Sequence, residues 1–72
     1  MKYSLALTNG DAIYIIDYVA NAIIECRMPK ADRVAYLKNA ASGDYDNLVR
    51  VSFAMIDKCN KIADDKLLYE KV

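Results

Sequence analysis

The feature that most constrains this chain is a long apolar run, AIYIIDYVANAII, at residues 12–24. The polar residues in and just after it, Asp17, Asn21 and Glu25, are spaced by four, which places them in one stripe along a helix. A half-buried strand would instead alternate polar and apolar residues, and the run is longer than a typical strand. The spacing therefore predicts a helix over about 9–27.

An Asn-Gly pair at residues 9 and 10 gives a competing signal, because Asn-Gly between apolar segments is typical of a β-hairpin. The other interpretation is a capped helix start, with the Thr8 hydroxyl as the cap and Asp11 near the positive end of the helix dipole. The polar spacing of the following run favours the helix start. The sequence thus predicts that Asn9-Gly10 leads into a helix rather than a strand.

A second helix is predicted over about 29–41, in the segment PKADRVAYLKNAA. Pro29 suits the first turn of a helix, the alanines favour helix, and Gly43 is placed to cap the C-terminal end. The apolar positions expected to face the core are Val34, Leu37 and Ala41, with Ala40 beside them.

A third helix is predicted over about 45–70, with Asp44 as its N-terminal cap. The expected core stripe consists of Val49, Phe53, Ile56, Ala63 and Leu67, with Leu48, Met55, Cys59 and Ile62 alongside. A helix of about 25 residues spans about 38 Å, so part of it is expected to extend past its neighbours. A break near Asp64-Asp65 is the alternative.

Together these segments predict an all-α fold, a small three-helix bundle formed by a single domain over 1–72. Residues 1–7 are interpreted as a non-helical lead, and the alternatives for them are a strand or a helical turn capped by Ser4. A domain of 72 residues has a small core, and such domains are commonly completed by disulfides, a metal or a partner chain.

The partner chain is the option that the composition favours. Histidine is absent and there are only two cysteines, so one chain cannot build a four-ligand zinc site, and no metal or cofactor is expected. Apolar residues make up 56% of the chain, and the first helix is apolar around most of its circumference. We therefore expect a homo-oligomer, most simply a dimer, with a candidate interface formed by Ile13, Ile16, Ala20 and Ile23.

The sequence offers no arrangement that is typical of catalysis, and a non-enzymatic protein is expected. Cys26 and Cys59 have no histidine to activate them, so inert buried thiols are predicted, with one intramolecular disulfide as the alternative. Asp64 and Asp65 are neighbours in sequence and do not face each other on a helix, which indicates a solvated surface pair. The low cysteine content and the lack of a signal-peptide pattern predict a cytoplasmic location.

The balance of charge argues against nucleic-acid partners, because the net charge is zero and the pI is near 6.1. The ASGD turn at residues 41–44 resembles the turn of a helix-turn-helix unit, but Asp44 and Asp46 would repel DNA at the start of the following helix. Asp17 and Asn21 interrupt the one segment apolar enough to suggest a membrane span, so no membrane association is expected.

Tyrosine is unusually frequent, with six tyrosines and a single phenylalanine. Tyr14 and Tyr18 are four residues apart, which places both rings on one face of the first helix. Tyrosine is enriched at protein interfaces because it combines a large contact area with a polar tip. With Arg27 and Lys30 as the nearest cations, these two tyrosines are candidate interface or ligand-binding residues. The alternative is that they line the edge of the core.

The function that these observations favour is a non-enzymatic protein–protein interaction module that binds another macromolecule. A small chain of this kind would suit a phage or mobile-element gene whose product inhibits a host protein. The alternative hypothesis is an oligomeric protein that binds or sequesters a nucleotide-like small molecule. A DNA-binding helix-turn-helix regulator is the third hypothesis.

Overall fold

The computed structural model describes residues 2–70, except for the side chains of Leu7 and of residues 66–70. This part of the chain forms three α-helices joined by short turns. The helices are Ala12–Glu25 (α1), Lys30–Ala41 (α2) and Tyr45–Glu70 (α3), and a 3₁₀ helix at Leu5–Thr8 precedes them. Each α-helix contacts the other two. The predicted all-α three-helix bundle is confirmed.

The first turn of α1 is capped by Asp11 and not by Thr8. The Asp11 carboxylate accepts a hydrogen bond from the Ile13 N–H at 2.9 Å, which satisfies one of the free donors of that turn. The Thr8 hydroxyl instead donates to the Leu5 carbonyl at 2.7 Å. The predicted Thr8 cap is therefore wrong, and α1 begins three residues later than predicted.

The Asn9-Gly10 pair is the reason for the later start. Asn9 has a φ of 59° and Gly10 a φ of 74°, and a right-handed helix cannot include these left-handed values. Two consecutive residues with positive φ are also what a tight type I′ hairpin turn requires. Here the turn joins the 3₁₀ helix to α1, and no strand occurs among residues 2–70. The dipeptide thus forms a turn, but the flanking segments are helical.

A Schellman motif ends α1. The Arg27 N–H donates to the Ile24 carbonyl and the Met28 N–H donates to the Ile23 carbonyl, each at 3.1 Å. Arg27 adopts a φ of 61° at the position of this motif that glycine usually occupies. The prediction that the helix continues to residue 27 is wrong because Arg27 has left the helical conformation.

The turn between α2 and α3 depends on Gly43 for space and not for backbone conformation. Gly43 is outside the left-handed region, and the C-terminal cap of α2 is Ser42, so the predicted glycine cap is wrong. A Cβ at Gly43 would lie 2.7–2.9 Å from side-chain atoms of Asn47. The Asn47 side chain is held there because its Nδ2 donates to the Asn39 carbonyl at 2.8 Å.

α3 is one continuous helix of 26 residues, so the alternative break near Asp64-Asp65 does not occur. Its predicted cap is confirmed, because Asp44 Oδ1 accepts a hydrogen bond from the Asn47 N–H at 2.9 Å. The long axis of the molecule measures 43 Å, close to the length of about 39 Å that 26 helical residues give.

The core lies where the three α-helices and the lead meet. Its buried apolar residues are Tyr3, Leu5, Ile15, Val19, Ala22, Ile23, Tyr36, Ala40, Leu48, Ile56 and Cys59. Ser52, Asn60 and Thr8 are buried among them, and every buried side-chain nitrogen or oxygen in the described part of the chain has a hydrogen-bond partner. These hydrogen bonds matter because a buried polar group without a partner lowers the free energy of unfolding by about 1–3 kcal/mol.

Tyr36, which was not predicted to face the core from α2, joins the predicted Ala40 there. It is buried, whereas Val34 and Leu37 are 38% and 37% exposed. Phe53, which was predicted to belong to the core stripe of α3, is 55% exposed. Tyr36 can be buried without leaving its hydroxyl unpaired, because that hydroxyl forms a hydrogen bond with the Ser52 hydroxyl at 2.7 Å. Apolar spacing alone could not reveal that pairing.

The lead packs against the bundle, and residues 5–8 of it are helical, so the predicted non-helical lead is wrong in part. Ser4 caps the 3₁₀ helix by accepting a hydrogen bond from the Ala6 N–H at 3.3 Å. Tyr3 is buried, and its ring meets the edge of the Tyr18 ring at a centroid distance of 6.4 Å. The lead is thereby fixed to α1.

Candidate functional site

An exposed apolar surface runs along α1. We call it the α1 apolar face and define it as Ile13, Ile16, Ala20 and Ile24. Spacings of three and four place these residues on one side of the helix. Ile13 and Ile24 are 70% and 52% exposed, and the two residues between them are half-buried.

The structure separates the predicted oligomer interface into two groups. Ile13, Ile16 and Ala20 lie on the α1 apolar face, but Ile23 is only 1% exposed and belongs to the chain's own core. Ile24 takes its place on the surface. The prediction missed this because the apolar residues of α1 cover most of its circumference, and spacing alone does not show which part meets α2 and α3.

A second apolar surface is a groove of about 440 Å³ between the lead and the start of α3. Tyr45, Val49 and Phe53 form one wall, and Leu5 and Ile15 contribute to the other. The Tyr45 hydroxyl donates a hydrogen bond to the Gly10 carbonyl, which ties the start of α3 to the turn before α1. We call this the lead–α3 groove. Sequence reasoning missed it because Phe53 was assigned to the core.

Tyr14 and Tyr18, the predicted binding tyrosines, line a shallow depression of about 360 Å³ together with Thr8, Asn9 and Asp17. Tyr14 is 60% exposed. Tyr18 is half-buried, and its hydroxyl accepts a hydrogen bond from the Ser4 N–H at 3.1 Å, so it also holds the lead in place. The structure thus brings these two tyrosines together.

Arg27 and Lys30 do not join them. Both are exposed near the turn between α1 and α2, and neither lines the depression. The charged residue that does line it is Asp17. A carboxylate favours a neutral or cationic guest over an anionic one, so this arrangement does not suit the phosphate of a nucleotide.

The start of α3, where a helix-turn-helix protein would contact DNA, is acidic. Asp44 and Asp46 are both exposed there. The Asp44 carboxylate is already used as the helix cap, and Asp46 adds a second negative charge in the first turn. Phosphate groups would meet repulsion at this end of the helix.

Three sulfur atoms meet between the end of α1 and the middle of α3. Cys26 Sγ lies 3.4 Å from Cys59 Sγ, and Cys59 Sγ lies 3.9 Å from Met28 Sδ. Burial, followed by the hydrogen bond with Cys26, raises the pKa of the Cys59 thiol to about 12. Cys59 is completely buried and Cys26 is half-buried.

The observed helix starts explain why these sulfurs meet. Cys26 comes fourteen residues after Ala12, where α1 begins, and Cys59 comes fourteen residues after Tyr45, where α3 begins. Alternate helices of an up-down-up bundle run parallel, so equal distances from the helix starts place the two cysteines at the same level. Counted from the predicted helix starts near residues 9 and 45, the distances are 17 and 14 residues, so the sequence allowed a disulfide without indicating this match.

Comparison with protein-family models, with curated proteins and with solved structures gives no match to this chain. Within the described residues, no helix combines the length and the hydrophobicity that crossing a bilayer requires. The same residues contain no group of three or more Cys, Asp or Glu side chains positioned to hold a metal ion. The molecule is defined by its fold, an all-α three-helix bundle with exposed apolar surfaces.

Proposed function

We propose that this protein is a non-enzymatic interaction module that self-associates, most simply as a dimer, through the α1 apolar face. The observation that carries the proposal is the exposure of Ile13 and Ile24 on one side of a single helix, at 70% and 52%. Complete burial of an isoleucine side chain contributes about 1.5–3 kcal/mol. A second copy of the chain would supply that burial.

The total surface area supports the same proposal. The chain exposes 5160 Å², whereas compact monomers of 8.1 kDa expose about 4,500 Å². An excess of roughly 650 Å² accords with a molecule that measures 43 × 26 × 15 Å, and the exposed side chains of the α1 apolar face are part of it. The net charge of zero also means that two copies carry no overall repulsion.

A two-fold arrangement fits the order of residues along the face. In an antiparallel pair of α1 helices, Ile13 of one protomer would lie beside the partner's Ile24, and the reverse contact would follow by symmetry. Ala20 lies near the middle of the face, where a small side chain permits close approach of the two helices. The proposed dimer therefore uses one self-complementary surface.

Light scattering coupled to size exclusion tests the proposal directly. We expect wild-type protein at micromolar concentration to have twice the monomer mass of 8.1 kDa, and the double variant Ile13→Glu/Ile24→Glu to be a folded monomer. Asn21→Glu is the matched control, because it adds a carboxylate to an exposed position on the polar side of the same helix. A wild-type monomer at these concentrations would exclude the self-association.

The second part of the proposal is a protein partner at the lead–α3 groove. Tyr45 and Phe53 are exposed there, and aromatic side chains are enriched in the centre of protein interfaces. A protein that binds in the lead–α3 groove should bind wild-type protein and the Ile13→Glu/Ile24→Glu variant equally well, because neither isoleucine lines the groove. It should lose affinity for Phe53→Ala, with Ala54→Ser as the control on the same helix. Equal binding to Phe53→Ala would place the partner elsewhere.

Small-molecule binding is a second candidate function, favoured by the depression that Tyr14 and Tyr18 line. Its volume of about 360 Å³ is at the lower end of the range of about 300–1,000 Å³ for ligand pockets. Because Asp17 lines it, we expect a cationic aromatic molecule to bind better than a nucleotide. A ligand panel read by thermal shift, compared between wild type, Tyr14→Ala and Asp17→Asn, distinguishes the two chemistries.

A further inference from the structure

The geometry points to a site of reversible covalent modification, a disulfide between Cys26 and Cys59 that forms under oxidising conditions. This inference does not depend on the proposed self-association. The two Sγ atoms are 3.4 Å apart, and a disulfide needs about 2.05 Å. The sulfurs therefore have to approach each other by roughly 1.4 Å. Rotation of the Cys26 side chain can supply this movement, because Cys26 is the C-cap residue at the end of α1.

The two thiols differ in access, and the difference assigns their roles. Cys26 is half-buried, so a small oxidant can reach it, whereas Cys59 is completely buried behind it. Susceptibility to oxidation follows exposure, and a sensor cysteine is often placed next to a resolving one. Cys26 is therefore the thiol that reacts first, and Cys59 is the resolving thiol.

The reaction with hydrogen peroxide balances as two steps. The Cys26 thiolate attacks one peroxide oxygen, the O–O bond breaks, and the departing hydroxide takes a proton to become water, leaving a sulfenic acid. Cys59 Sγ then attacks Cys26 Sγ, the S–O bond breaks as the S–S bond forms, and the hydroxyl leaves as water with the Cys59 proton. Two electrons pass from the thiols to the peroxide.

The surroundings favour a neutral product over an anionic one. The Tyr3 hydroxyl donates to Glu25 Oε2 at 3.0 Å, so a carboxylate belongs to the same region. A pair of thiolates, or a Cu(I) ion held by two thiolates, would add negative charge beside it. A disulfide removes both ionisable groups and adds no charge, so burial does not disfavour the product. The raised pKa of Cys59 does slow its attack on Cys26, because the thiolate is the nucleophile.

The disulfide would also connect two elements that are distant in sequence. Cys26 and Cys59 are 33 residues apart, and they join the end of α1 to the middle of α3. Closing a loop of this length restricts the unfolded chain, so the oxidised protein should melt at a higher temperature than the reduced one. Reduction should restore the lower melting temperature.

The test uses the full chain, treated with hydrogen peroxide or with oxidised glutathione. We expect the intact mass to fall by two hydrogens, the titratable thiols under denaturing conditions to fall from two to none, and the melting temperature to rise. All three changes should be reversed by dithiothreitol. In Cys26→Ala none of them should occur. In Cys59→Ala the half-buried Cys26 should instead gain one oxygen or one glutathione.

Several outcomes would overturn the inference. They are a disulfide between two protein molecules, stable oxidation of Cys26 in wild-type protein without loss of the two hydrogens, and two free thiols after exposure to either oxidant. A fourth is tight binding of one Cu(I) by the reduced protein that prevents the disulfide and weakens in Met28→Leu. That result would assign the three sulfurs to a soft metal ion. The first three of these outcomes are read in wild-type protein, so they do not depend on the stability of the variants.

Discussion

Asn60 pairs with the backbone of Tyr3 through both ends of its side-chain amide. Its Oδ1 accepts a hydrogen bond from the Tyr3 N–H at 2.8 Å, and its Nδ2 donates to the Tyr3 carbonyl at 3.0 Å. The two residues are 57 positions apart, and Asn60 is buried. The amide therefore provides the hydrogen bonds that a neighbouring strand or a helical turn would otherwise give to the backbone of Tyr3. It also holds the lead against α3.

Replacing Asn60 should detach the lead. In Asn60→Ala the buried N–H and carbonyl of Tyr3 lose their partners, so we expect the free energy of unfolding to fall by about 2–4 kcal/mol. Asn21→Ala, at an exposed position of α1, should change it by less than about 0.5 kcal/mol. Urea unfolding followed by circular dichroism measures both. An Asn60→Ala protein as stable as the control would mean that the lead contributes little to the fold.

The Tyr36–Ser52 pair is best examined as a double-mutant cycle. Either single variant, Tyr36→Phe or Ser52→Ala, leaves the other hydroxyl buried without its partner, and each should cost about 1–2 kcal/mol. The double variant has no unpaired hydroxyl, so its cost should be smaller than the sum of the two by about 1 kcal/mol. Strict additivity would show that each hydroxyl finds another partner once the first is removed.

Stability should fall at alkaline pH because of Tyr3. Burial, followed by the hydrogen bond to Glu25, raises the pKa of Tyr3 from its ordinary value of 10.0 to about 12. Between these values the unfolded chain has lost the tyrosine proton and the folded chain has kept it. The unfolded state then binds fewer protons, so stability decreases as the pH rises through this window.

The check is to compare the free energy of unfolding at pH 10 and at pH 12 in wild type and in Tyr3→Phe. The decrease should be smaller in Tyr3→Phe, which has no hydroxyl to ionise. Part of the decrease should remain because burial also raises the pKa of Cys59, from 9.0 to about 12. Tyr14→Phe, an exposed position, should behave as wild type. The same pH dependence in Tyr3→Phe would contradict the assignment.

The two glycines should respond differently to the same substitution. Gly43→Ala places a Cβ within 2.8 Å of the Asn47 Cβ, and we expect a cost of about 1–3 kcal/mol from this overlap. Gly10 needs its left-handed φ of 74°, so Gly10→Ala should cost about 1–2 kcal/mol. Asparagine tolerates that conformation, so Gly10→Asn should be milder than Gly10→Ala. Gly43→Asn should be no milder than Gly43→Ala. The distinction is contradicted if asparagine is milder than alanine at both positions or at neither.

The sequence predicted the helices well where the pattern was repeated over several turns. The four-residue polar spacing of α1 and the Asp44 cap of α3 are local signals, and both correspond to the structure. The boundaries of α1 were wrong at Asn9-Gly10 and at Arg27, where residues with positive φ interrupt the helix. Spacing also misassigned Phe53, because a broad apolar stripe extends beyond the part of a helix that its neighbours cover.

The candidate surfaces were harder to predict because they depend on which helix faces lie together. Tyr14 and Tyr18 share a helix face, and their proximity in the depression follows from spacing alone. Arg27 and Lys30 lie elsewhere because the chain turns between them, and spacing along a helix does not apply across a turn. The contact between Cys26 and Cys59 required the order and direction of the helices, which no single segment contains.

Arg27 should be replaceable by glycine with a gain in stability. It has a φ of 61° at the Schellman position of α1, where a side chain crowds the following carbonyl and costs about 1–2 kcal/mol. Glycine removes this strain but gives the unfolded chain more freedom, so we expect a net gain of about 0.5–1 kcal/mol for Arg27→Gly. Lys30→Gly is the matched control. It removes the same charge at the first residue of α2, and it should lower stability by up to about 1 kcal/mol.

Urea unfolding of Arg27→Gly and Lys30→Gly measures the effect on stability, and light scattering measures the effect on self-association. Together they separate backbone strain at Arg27 from a role in binding. If Arg27 only ends the helix, Arg27→Gly should be more stable than wild type and should associate as wild type does. If Arg27 also contacts a partner, the same variant should gain stability and lose partner binding. A loss of stability would show that contacts of the arginine side chain outweigh the cost of its left-handed backbone.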